Sequence, residues 1–316
     1  MRAGRFLRPT SGSFAAARTL LVPLLLGSVV LAGCAAPARA PARAGVVPLP
    51  PLATGVSEDV STLPNGRENM YDLVNAGTLP VANDLLHNIW DVPRSAPVAL
   101  PDQLTWTEDP YHDEYWRFQF YSLRVTANLL WAYETTHQDK YLTKLLSILR
   151  SYTAYDAANP PIDRQRFDYA YGAAFRAMIL VNDYGKLQRS RVLPADLAAA
   201  MKVSLDKLAT FLSRPKNYRG THNHGFTEAA ALLLIVTNFP DVTQAAQFRQ
   251  LALDRLSTLM QTIVGDDGVE IERSPLYHFY IFDFAIQLQD WATRSGVTLP
   301  AGFTDRVRSM VRYSTD

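Results

Sequence analysis

Long amphipathic segments joined by short connections make up most of this chain beyond about residue 56, and they restrict it to a helical fold. In the first long segment, residues 114–135, apolar side chains recur at the three-and-four spacing of one buried helical face: Phe120, Leu123, Ala127, Leu130 and Trp131. Similar patterns predict helices over residues 138–155, 168–187, 194–212, 227–237, 245–263 and 277–294, and a last short helix from about Thr304. No run combines strand alternation with hairpin turns, so a sheet domain is expected to be absent or vestigial.

The connections between these segments determine how the helices pack. Residues 136–138 and 238–241 are short connections, so successive helices must run antiparallel as hairpins. A solenoid predicts a sequence repeat of fixed period, and the chain shows none. The number of helices and the aromatic residues at their ends favour a toroid over a bundle. We therefore predict an all-α fold, an incomplete (α/α) toroid of antiparallel helical hairpins over residues 56–316.

The N-terminus has the composition of an export signal. Four arginines precede an apolar run from Leu20 to Leu31, which is too short to cross a bilayer comfortably and is interrupted by Pro23 and Gly27. The run leads to the only cysteine, Cys34, through small residues that resemble the bacterial lipobox, in which the cysteine thiol is acylated. The alternative is a chance cysteine within a plain secretory signal. We predict a lipoprotein signal peptide over residues 1–34.

Residues 35–55 follow as a Pro- and Ala-rich tether without periodicity, in which proline favours an extended polyproline conformation. Such a spacer would hold a folded domain away from a membrane. The sequence therefore predicts a lipid-anchored protein of the bacterial cell envelope, periplasmic or at the cell surface. Because Cys34 is the only cysteine, no intramolecular disulfide can form and the fold must depend on packing.

The composition limits the choice of partners. With 48% hydrophobic and 19% charged residues, the 316-residue chain can bury a large core. Removal of residues 1–34 takes away arginines and no acidic residue, and it leaves 27 basic and 30 acidic residues. A nearly neutral surface argues against nucleic acid as the partner. It does not exclude an anionic ligand, because a few well-placed side chains can meet the charge of such a ligand.

Two polar stretches at predicted helix starts, residues 219–233 and 266–280, carry the candidate chemistry. Asn223, His224 and Tyr277 are the candidate catalytic residues, because an amide can bind an anion and an imidazole or a phenol can move protons. Asn223 and His224 could instead cap the helix predicted from Thr227. Tyr277 could instead be a buried core phenol, and the adjacent His278 is expected to be structural.

A metal site is a further alternative for the first stretch. His222, His224 and Glu228 are residue types that bind zinc. Two histidines two residues apart do not lie on one helical face, however, and no fourth ligand is evident. We therefore predict neither a metal nor a cofactor.

The two stretches together resemble the heparinase II/III group of polysaccharide lyases, which includes alginate and oligoalginate lyases. In that group an Asn-His-Gly stretch and a later Glu-x-Ser-Pro-x-Tyr-His stretch lie on helices of an incomplete α/α toroid, and here they correspond to residues 223–225 and 272–278. Residues 106–133 are similar to the preceding helices, and the resemblance covers about residues 60–316. Members usually continue into a β-sandwich that supplies a second histidine, and we expect this domain to be absent from the present chain.

The resemblance implies that an anionic polysaccharide with 4-linked uronate is cleaved by β-elimination. Asn223 would hydrogen-bond the substrate carboxylate, and Tyr277 would protonate the leaving oxygen. Tyr277 would also be the base where the C5 hydrogen and the leaving oxygen lie on the same face of the sugar. His224 would be the base where they lie on opposite faces.

Further substrate contacts are expected around these three residues. Arg219 or Arg273 would favour the phenolate form of Tyr277, and His222 and Glu272 flank the same positions. Three aromatic residues lie near the start of the helix predicted from residue 114: Trp106, Tyr111 and Trp116. Their rings could stack on sugar rings or could instead belong to the core.

Two other functions remain open at this stage. An inverting α/α-toroid glycoside hydrolase would need two carboxylates on either side of the bond that it cleaves, and the candidates are Asp266, Asp267, Glu270 and Glu272. The sequence Asp266-Asp267-Gly268 is nevertheless typical of a turn with solvated acidic residues. The other alternative is a non-catalytic carbohydrate-binding or scaffold protein of the cell envelope.

Overall fold

The computed structural model describes residues 79–159 and 169–315. The predicted signal peptide with Cys34, the tether and the start of the predicted toroid lie outside the described residues. The elements are α1 (Leu79–Leu86), β1 (Ile89–Trp90), β2 (Val98–Ala99), α2 (Glu114–Tyr121), α3 (Ala127–Thr136), α4 (Asp139–Ala158), α5 (Tyr169–Arg189), α6 (Ala195–Ser213), α7 (Asn223–Asn238), α8 (Ala245–Ile263), α9 (Pro275–Arg294) and α10 (Phe303–Thr315).

Helices α3 to α10 form hairpins arranged in two layers. The helices α3, α5, α7 and α9 contact one another in sequence as an inner row, while α4, α6, α8 and α10 form an outer row. Helix α7 is almost entirely buried from Gly225 to Val236, as expected for an apolar helix covered on several sides. Because alternate helices of successive hairpins run in the same direction, the N-terminal ends of α5, α7 and α9 lie along one edge.

The helix predicted over residues 114–135 is in fact two helices. Leu123 has a left-handed backbone (φ 60°), and a short 3₁₀ turn, Arg124–Thr126, joins α2 to α3. The apolar spacing continues across the break because Phe120 and Leu123 are both fully buried in the same core. Hydrophobic periodicity reports burial rather than hydrogen bonding, so it could not locate this break.

Two small elements near residue 90 were not predicted. Helix α1 is only eight residues long, and β1 and β2 form an antiparallel pair with Trp90 opposite Val98. Strands of two residues are too short to show alternation. This ribbon is the one sheet within the described residues, in agreement with the expectation of a vestigial sheet. None of the helices described is long and apolar enough to cross a membrane.

Candidate active site

The first polar stretch forms the N-terminus of the inner helix α7. The helix begins at Asn223, four residues earlier than predicted, and His222 is its N-cap. The Nδ1 atom of His222 accepts a hydrogen bond from the backbone N–H of His224 at 3.3 Å. The alternative that Asn223 and His224 cap a later helix is therefore wrong, because His222 takes the capping role and places both residues in the first turn.

The amide of Asn223 is buried, with 3% of the residue exposed. Its side chain lies against His222, and its Oδ1 atom has no hydrogen-bond partner within residues 79–159 and 169–315. A buried polar atom without a partner costs folding free energy, and a bound ligand or water can satisfy it. An amide of this kind at a helix N-terminus is well suited to meet a polar ligand.

Gly225 explains why the turn before α7 can pack so closely. A Cβ atom at this position would overlap the carbonyl oxygen of Arg219 and would approach the ring of Tyr218 to 3.3 Å. The glycine of the Asn-His-Gly stretch is therefore required by the close approach of the backbone. It allows the 219–222 turn to fold over the first turn of α7.

A buried charged cluster supports this turn from below. Glu228 is fully buried, and its Oε2 atom accepts a hydrogen bond from the backbone N–H of Arg219 at 2.8 Å. The guanidinium of Arg255 lies 4.0 Å from the centre of the Tyr218 ring and donates to the carbonyl of Leu212. Burial raises the pKa of Tyr218 to about 12 and lowers the pKa of Arg255. The phenol therefore stays neutral, and the cluster fixes the turn.

The second polar stretch forms a tight turn before α9. Gly268, with φ +84°, is in the left-handed region, and Asp267 accepts a hydrogen bond from the N–H of Val269, as expected for a turn. Glu270 is fully buried and accepts a hydrogen bond from the N–H of Glu272 at 2.9 Å. Burial raises the pKa of Glu270, and the nearby charge of Glu272 adds to this increase. The prediction of a turn at residues 266–268 is confirmed.

Tyr277 lies in the first turn of α9 and is 39% exposed, so the alternative of a buried core phenol is wrong. His278 is buried, as predicted, and its Nε2 atom lies 3.1 Å from the hydroxyl of Ser314. Burial lowers the pKa of His278. The phenol is thus available to a ligand, while the adjacent imidazole belongs to the packing between α9 and α10.

The two polar stretches meet at the edge formed by the inner helices. Burial is the main cause that lowers the pKa of His222, and the nearby imidazole of His224 lowers it further. The charge of Glu272 opposes that shift, while that of Arg219 adds to it, so both residues lie near the imidazole. Arg273 is exposed, with a left-handed backbone (φ 51°).

Two tyrosines that the sequence reasoning missed connect the helices. The ring of Tyr171, in the first turn of α5, stacks on the imidazole of His224 with centroids 4.0 Å apart and planes 7° apart. The hydroxyl of Tyr171 is hydrogen-bonded to the hydroxyl of Tyr280 on α9. Because Tyr280 follows Tyr277 by three residues, both are on the same side of α9. The only sequence signal was that both tyrosines fall near the start of a predicted helix.

The predicted aromatic contacts require a correction. Trp106 and Trp116 are 1% and 0% exposed, and both stack on the buried ring of Phe120. Their rings cannot reach a sugar, so the prediction of substrate contact is wrong for these two tryptophans. Tyr111 is 41% exposed, and its hydroxyl donates to the carbonyl of Ala96. Of the three predicted aromatic contacts, Tyr111 alone keeps an accessible ring.

The histidines and acidic residues of this edge do not form a metal centre. Within residues 79–159 and 169–315, no three His, Cys, Asp or Glu side chains are grouped as a metal site would require. The arrangement offers an amide, an imidazole and a phenol at the N-termini of two neighbouring helices, α7 and α9. These groups can bind an anion and transfer protons.

The fold and these positions define a class of protein. The family model of the heparinase II/III N-terminus matches residues 67–316, and the chain therefore belongs to this family. The all-α toroidal fold predicted from the sequence is confirmed by this match and by the structural relatives.

Particular relatives show how distant the relationship is. A heparin-sulfate lyase from Pedobacter heparinus is 21% identical over 211 residues, which cover 66% of this chain and 32% of that protein. The crystal structure of the heparan sulfate lyase HepC from Pedobacter heparinus matches with a TM-score of 0.61 and 20% identity. The match covers 74% of this chain and 37% of the HepC chain. A heparinase III structure, the BT4657 gene product, matches with a TM-score of 0.60 and 18% identity. This match covers 74% of this chain and 39% of the heparinase III chain. The chain thus spans about a third of the length of its curated relative.

Proposed function

We propose that this protein is a polysaccharide lyase that cleaves 4-linked uronate-containing polysaccharides by β-elimination. One observation carries the proposal: His224, which follows Asn223 in the first turn of α7, is linked through Tyr171 to Tyr280 on α9, three residues after the exposed phenol of Tyr277. The names of the relatives, which are heparin and heparan sulfate lyases, support an anionic glycosaminoglycan or a similar polymer as substrate.

The reaction requires three tasks from the protein. The charge of the uronate carboxylate must be met, so that negative charge can build up at C5. A base must remove the C5 proton, and the electron pair of that bond forms the C4–C5 double bond while the bond from C4 to the leaving oxygen breaks. An acid must then protonate the departing oxygen. One uronate linkage becomes an unsaturated sugar and a new free hydroxyl, and no other reactant is consumed.

The side chains at the edge are assigned to these tasks. The buried amide of Asn223 would hydrogen-bond the carboxylate, helped by the partial positive charge at the N-terminus of α7. Tyr277 would protonate the leaving oxygen, and it would also be the base for substrates whose C5 hydrogen is on the same face. His224 would be the base for substrates whose C5 hydrogen is on the opposite face.

Hydrolysis by two carboxylates is less well supported by the geometry. Asp266 has 97% of its side chain exposed and pairs with Arg306, while Asp267 closes the turn. Burial raises the pKa of Glu270, but the residue is fully buried and cannot touch a sugar. The four acidic candidates therefore do not provide a pair of carboxylates that face each other across a cleft.

The lyase proposal is tested by following the ultraviolet absorbance of the unsaturated product from heparan sulfate and alginate. Tyr277→Phe removes the phenolic proton and keeps the ring, so turnover should fall about 10²- to 10⁴-fold with little change in stability. Asn223→Ala removes a preorganised donor and should cost about 3 kcal/mol of transition-state stabilisation. The matched control is Tyr133→Phe, near the C-terminal end of α3, which should retain the activity of the wild type.

The outcomes separate the three functions. Full activity of Tyr277→Phe would remove the phenol from the mechanism. Chain cleavage without an unsaturated product would indicate hydrolysis. Binding of the polymer without cleavage by the intact protein would indicate a carbohydrate-binding or scaffold protein.

We also propose that the protein is anchored in the bacterial cell envelope through acylation of Cys34. The support is the sequence Leu31-Ala32-Gly33-Cys34 at the end of the apolar run. Cys34→Ser should release the protein from the membrane fraction. Unchanged fractionation of this variant, with no lipid on the wild type by mass spectrometry, would contradict the anchor.

A further inference from the structure

We propose that Tyr171 is a positioning residue that fixes the plane of the His224 imidazole and couples it to the helix that carries Tyr277. The inference rests on the lyase function proposed above. Tyr171 lies outside both polar stretches, on a third helix of the inner row.

The geometry around His224 restricts the rotation of its ring. Tyr171 covers one face at 4.0 Å with an interplanar angle of 7°. The imidazole of His222 approaches edge-on at 4.4 Å and 75°. A ring held between a parallel face and a perpendicular edge cannot turn about its own bond without losing both contacts. The plane of the imidazole ring is therefore fixed.

Tyr171 is itself held firmly in place. Phe118 on α2 stacks on its ring, with centroids 5.4 Å apart and an interplanar angle of 5°. Phe175, one turn further along α5, packs edge-on at 4.8 Å. The ring planes of Phe118, Tyr171 and His224 are thus nearly parallel. The support of the imidazole reaches back into the buried aromatic core.

The hydroxyl group of Tyr171 adds a second connection. It is hydrogen-bonded to the hydroxyl of Tyr280, three residues after Tyr277 on α9. Residues three apart on a helix are neighbours on its surface, so this bond fixes the part of α9 that presents the candidate acid. One side chain on α5 thereby supports the candidate base on α7 and the candidate acid on α9.

This arrangement serves proton transfer in two ways. A fixed ring plane limits the directions from which an imidazole nitrogen can meet the C5 hydrogen, and orientation of this kind contributes strongly to reaction rates. An imidazole that accepts the proton becomes a cation, and the electron-rich face of the phenol stabilises it. Both effects act on the chemical step rather than on ground-state binding of the polymer.

Three substitutions separate the stack from the hydroxyl bond. Tyr171→Leu removes the stack and the bond, Tyr171→Phe keeps the stack, and Tyr280→Phe removes the bond from the other side. On the uronate polymer that the wild type cleaves, Tyr171→Leu should lower kcat roughly tenfold or more, with KM changed much less. The two Phe variants should have smaller and similar effects, and the double variant should not be additive because both break one bond. The control is Tyr184→Phe, about 20 Å further along α5, which should behave as the wild type.

A second measurement does not depend on activity. The ring current of Tyr171 should shift the Hε1 proton of His224 upfield in the NMR spectrum, and a His224→Gln variant assigns that signal. The shift should remain in Tyr171→Phe and disappear in Tyr171→Leu. If Tyr171→Leu does not fold, Tyr280→Phe and Tyr171→Phe still test the hydroxyl bond through kcat.

Each outcome decides the proposal. An unchanged His224 signal in folded Tyr171→Leu would show that the rings do not stack. Loss of the shift with unchanged kcat would show that the stack contributes to packing and not to the reaction. If the wild type releases no unsaturated product from any uronate polymer, the lyase function fails and the positioning role fails with it. A normal ring-current shift in that protein would show that the function, and not the geometry, was wrong.

Discussion

The turns that precede α7 and α9 present polar residues at one edge of the inner row, but they are held in different ways. Before α7, Glu228 reaches back from the second helical turn to the backbone N–H of Arg219, and Gly225 packs against the carbonyl of the same arginine. Before α9, the carboxylate of Glu270 accepts a local hydrogen bond, from the backbone N–H of Glu272.

The charges near the two buried carboxylates differ as well. Arg255 lies near Glu228 and compensates its charge, whereas Glu272 lies near Glu270 and repels it. The first two turns of α9 also expose large apolar side chains, such as Leu276 at 74% and Phe279 at 54%. The half of the site with the amide and the imidazole is therefore preorganised by its own turn, while the phenol depends on contacts further along α9.

The largest effect should come from filling the space at Gly225. Gly225→Ala would force the Cβ atom into the carbonyl of Arg219, so we expect a loss of about 3 kcal/mol in the free energy of unfolding. Urea denaturation measures this loss. The matched control is Gly172→Ala on α5, where the new Cβ atom would meet the ring of Phe118 at an ordinary 3.4 Å and helix propensity would improve.

An exposed residue on α9 provides the comparison for Gly225→Ala. Leu276→Ala changes a side chain that is mostly in solvent, and it should alter the free energy of unfolding by less than about 0.5 kcal/mol. If Gly225→Ala were as mild as Leu276→Ala, the turn before α7 would not be tightly packed.

A smaller effect, of opposite sign at the two turns, is expected from neutralising the buried carboxylates. Glu228→Gln removes the charge that faces Arg255 and should cost about 1 to 2 kcal/mol at pH 7. Glu270→Gln should be neutral or stabilising, because a carboxyl whose pKa is raised in the folded state loses stability as pH rises through that pKa. Chemical denaturation of both variants at pH 7 checks this, and equal destabilisation would mean that the two turns are held alike.

The sequence predicted most of the fold because burial and helical periodicity coincide in long helices. The bounds predicted for the helix at residues 245–263 agree with α8, where an apolar stripe runs the whole length. The prediction failed where the backbone changes conformation inside a continuous apolar pattern, as at Leu123. It also failed at α1 and the two-residue strands, which are too short to carry a period.

The candidate site was predicted only in part, for a related reason. Asn223, His224 and Tyr277 could be proposed from the sequence because each lies within a local motif. The bond between Tyr171 and Tyr280 joins residues 109 positions apart, and nothing local in the sequence pairs them. The burial of Trp106 and Trp116 could not be predicted either. Aromatic residues at helix ends can belong to the core or contact a ligand, and the sequence does not show which side of the helix faces the core.

The smallest expected effect is the response to acid of two imidazoles, His222 before α7 and His278 in the first turn of α9. Burial lowers the pKa of both His222 and His278 from the usual 6.5, and His224 adds to the effect at His222. The unfolded chain therefore binds more protons than the folded one as pH falls below about 6.5, and the free energy of unfolding should decrease there. In His222→Gln and His278→Gln this decrease between pH 7 and pH 5 should be smaller than in the wild type.

Salt distinguishes the two histidines. Part of the pKa shift of His222 comes from nearby charges on an exposed surface, so added salt should weaken the contribution of His222 to the pH dependence of unfolding. The buried His278 should respond little to salt. His87→Gln, at an exposed position after α1, is the control and should keep the pH dependence of the wild type. Identical pH profiles for the wild type and both variants would show that neither imidazole is neutral because of the fold. A salt effect on the pH dependence that is present in the wild type and in His278→Gln but lost in His222→Gln would instead confirm that the charges near the two imidazoles are shielded differently.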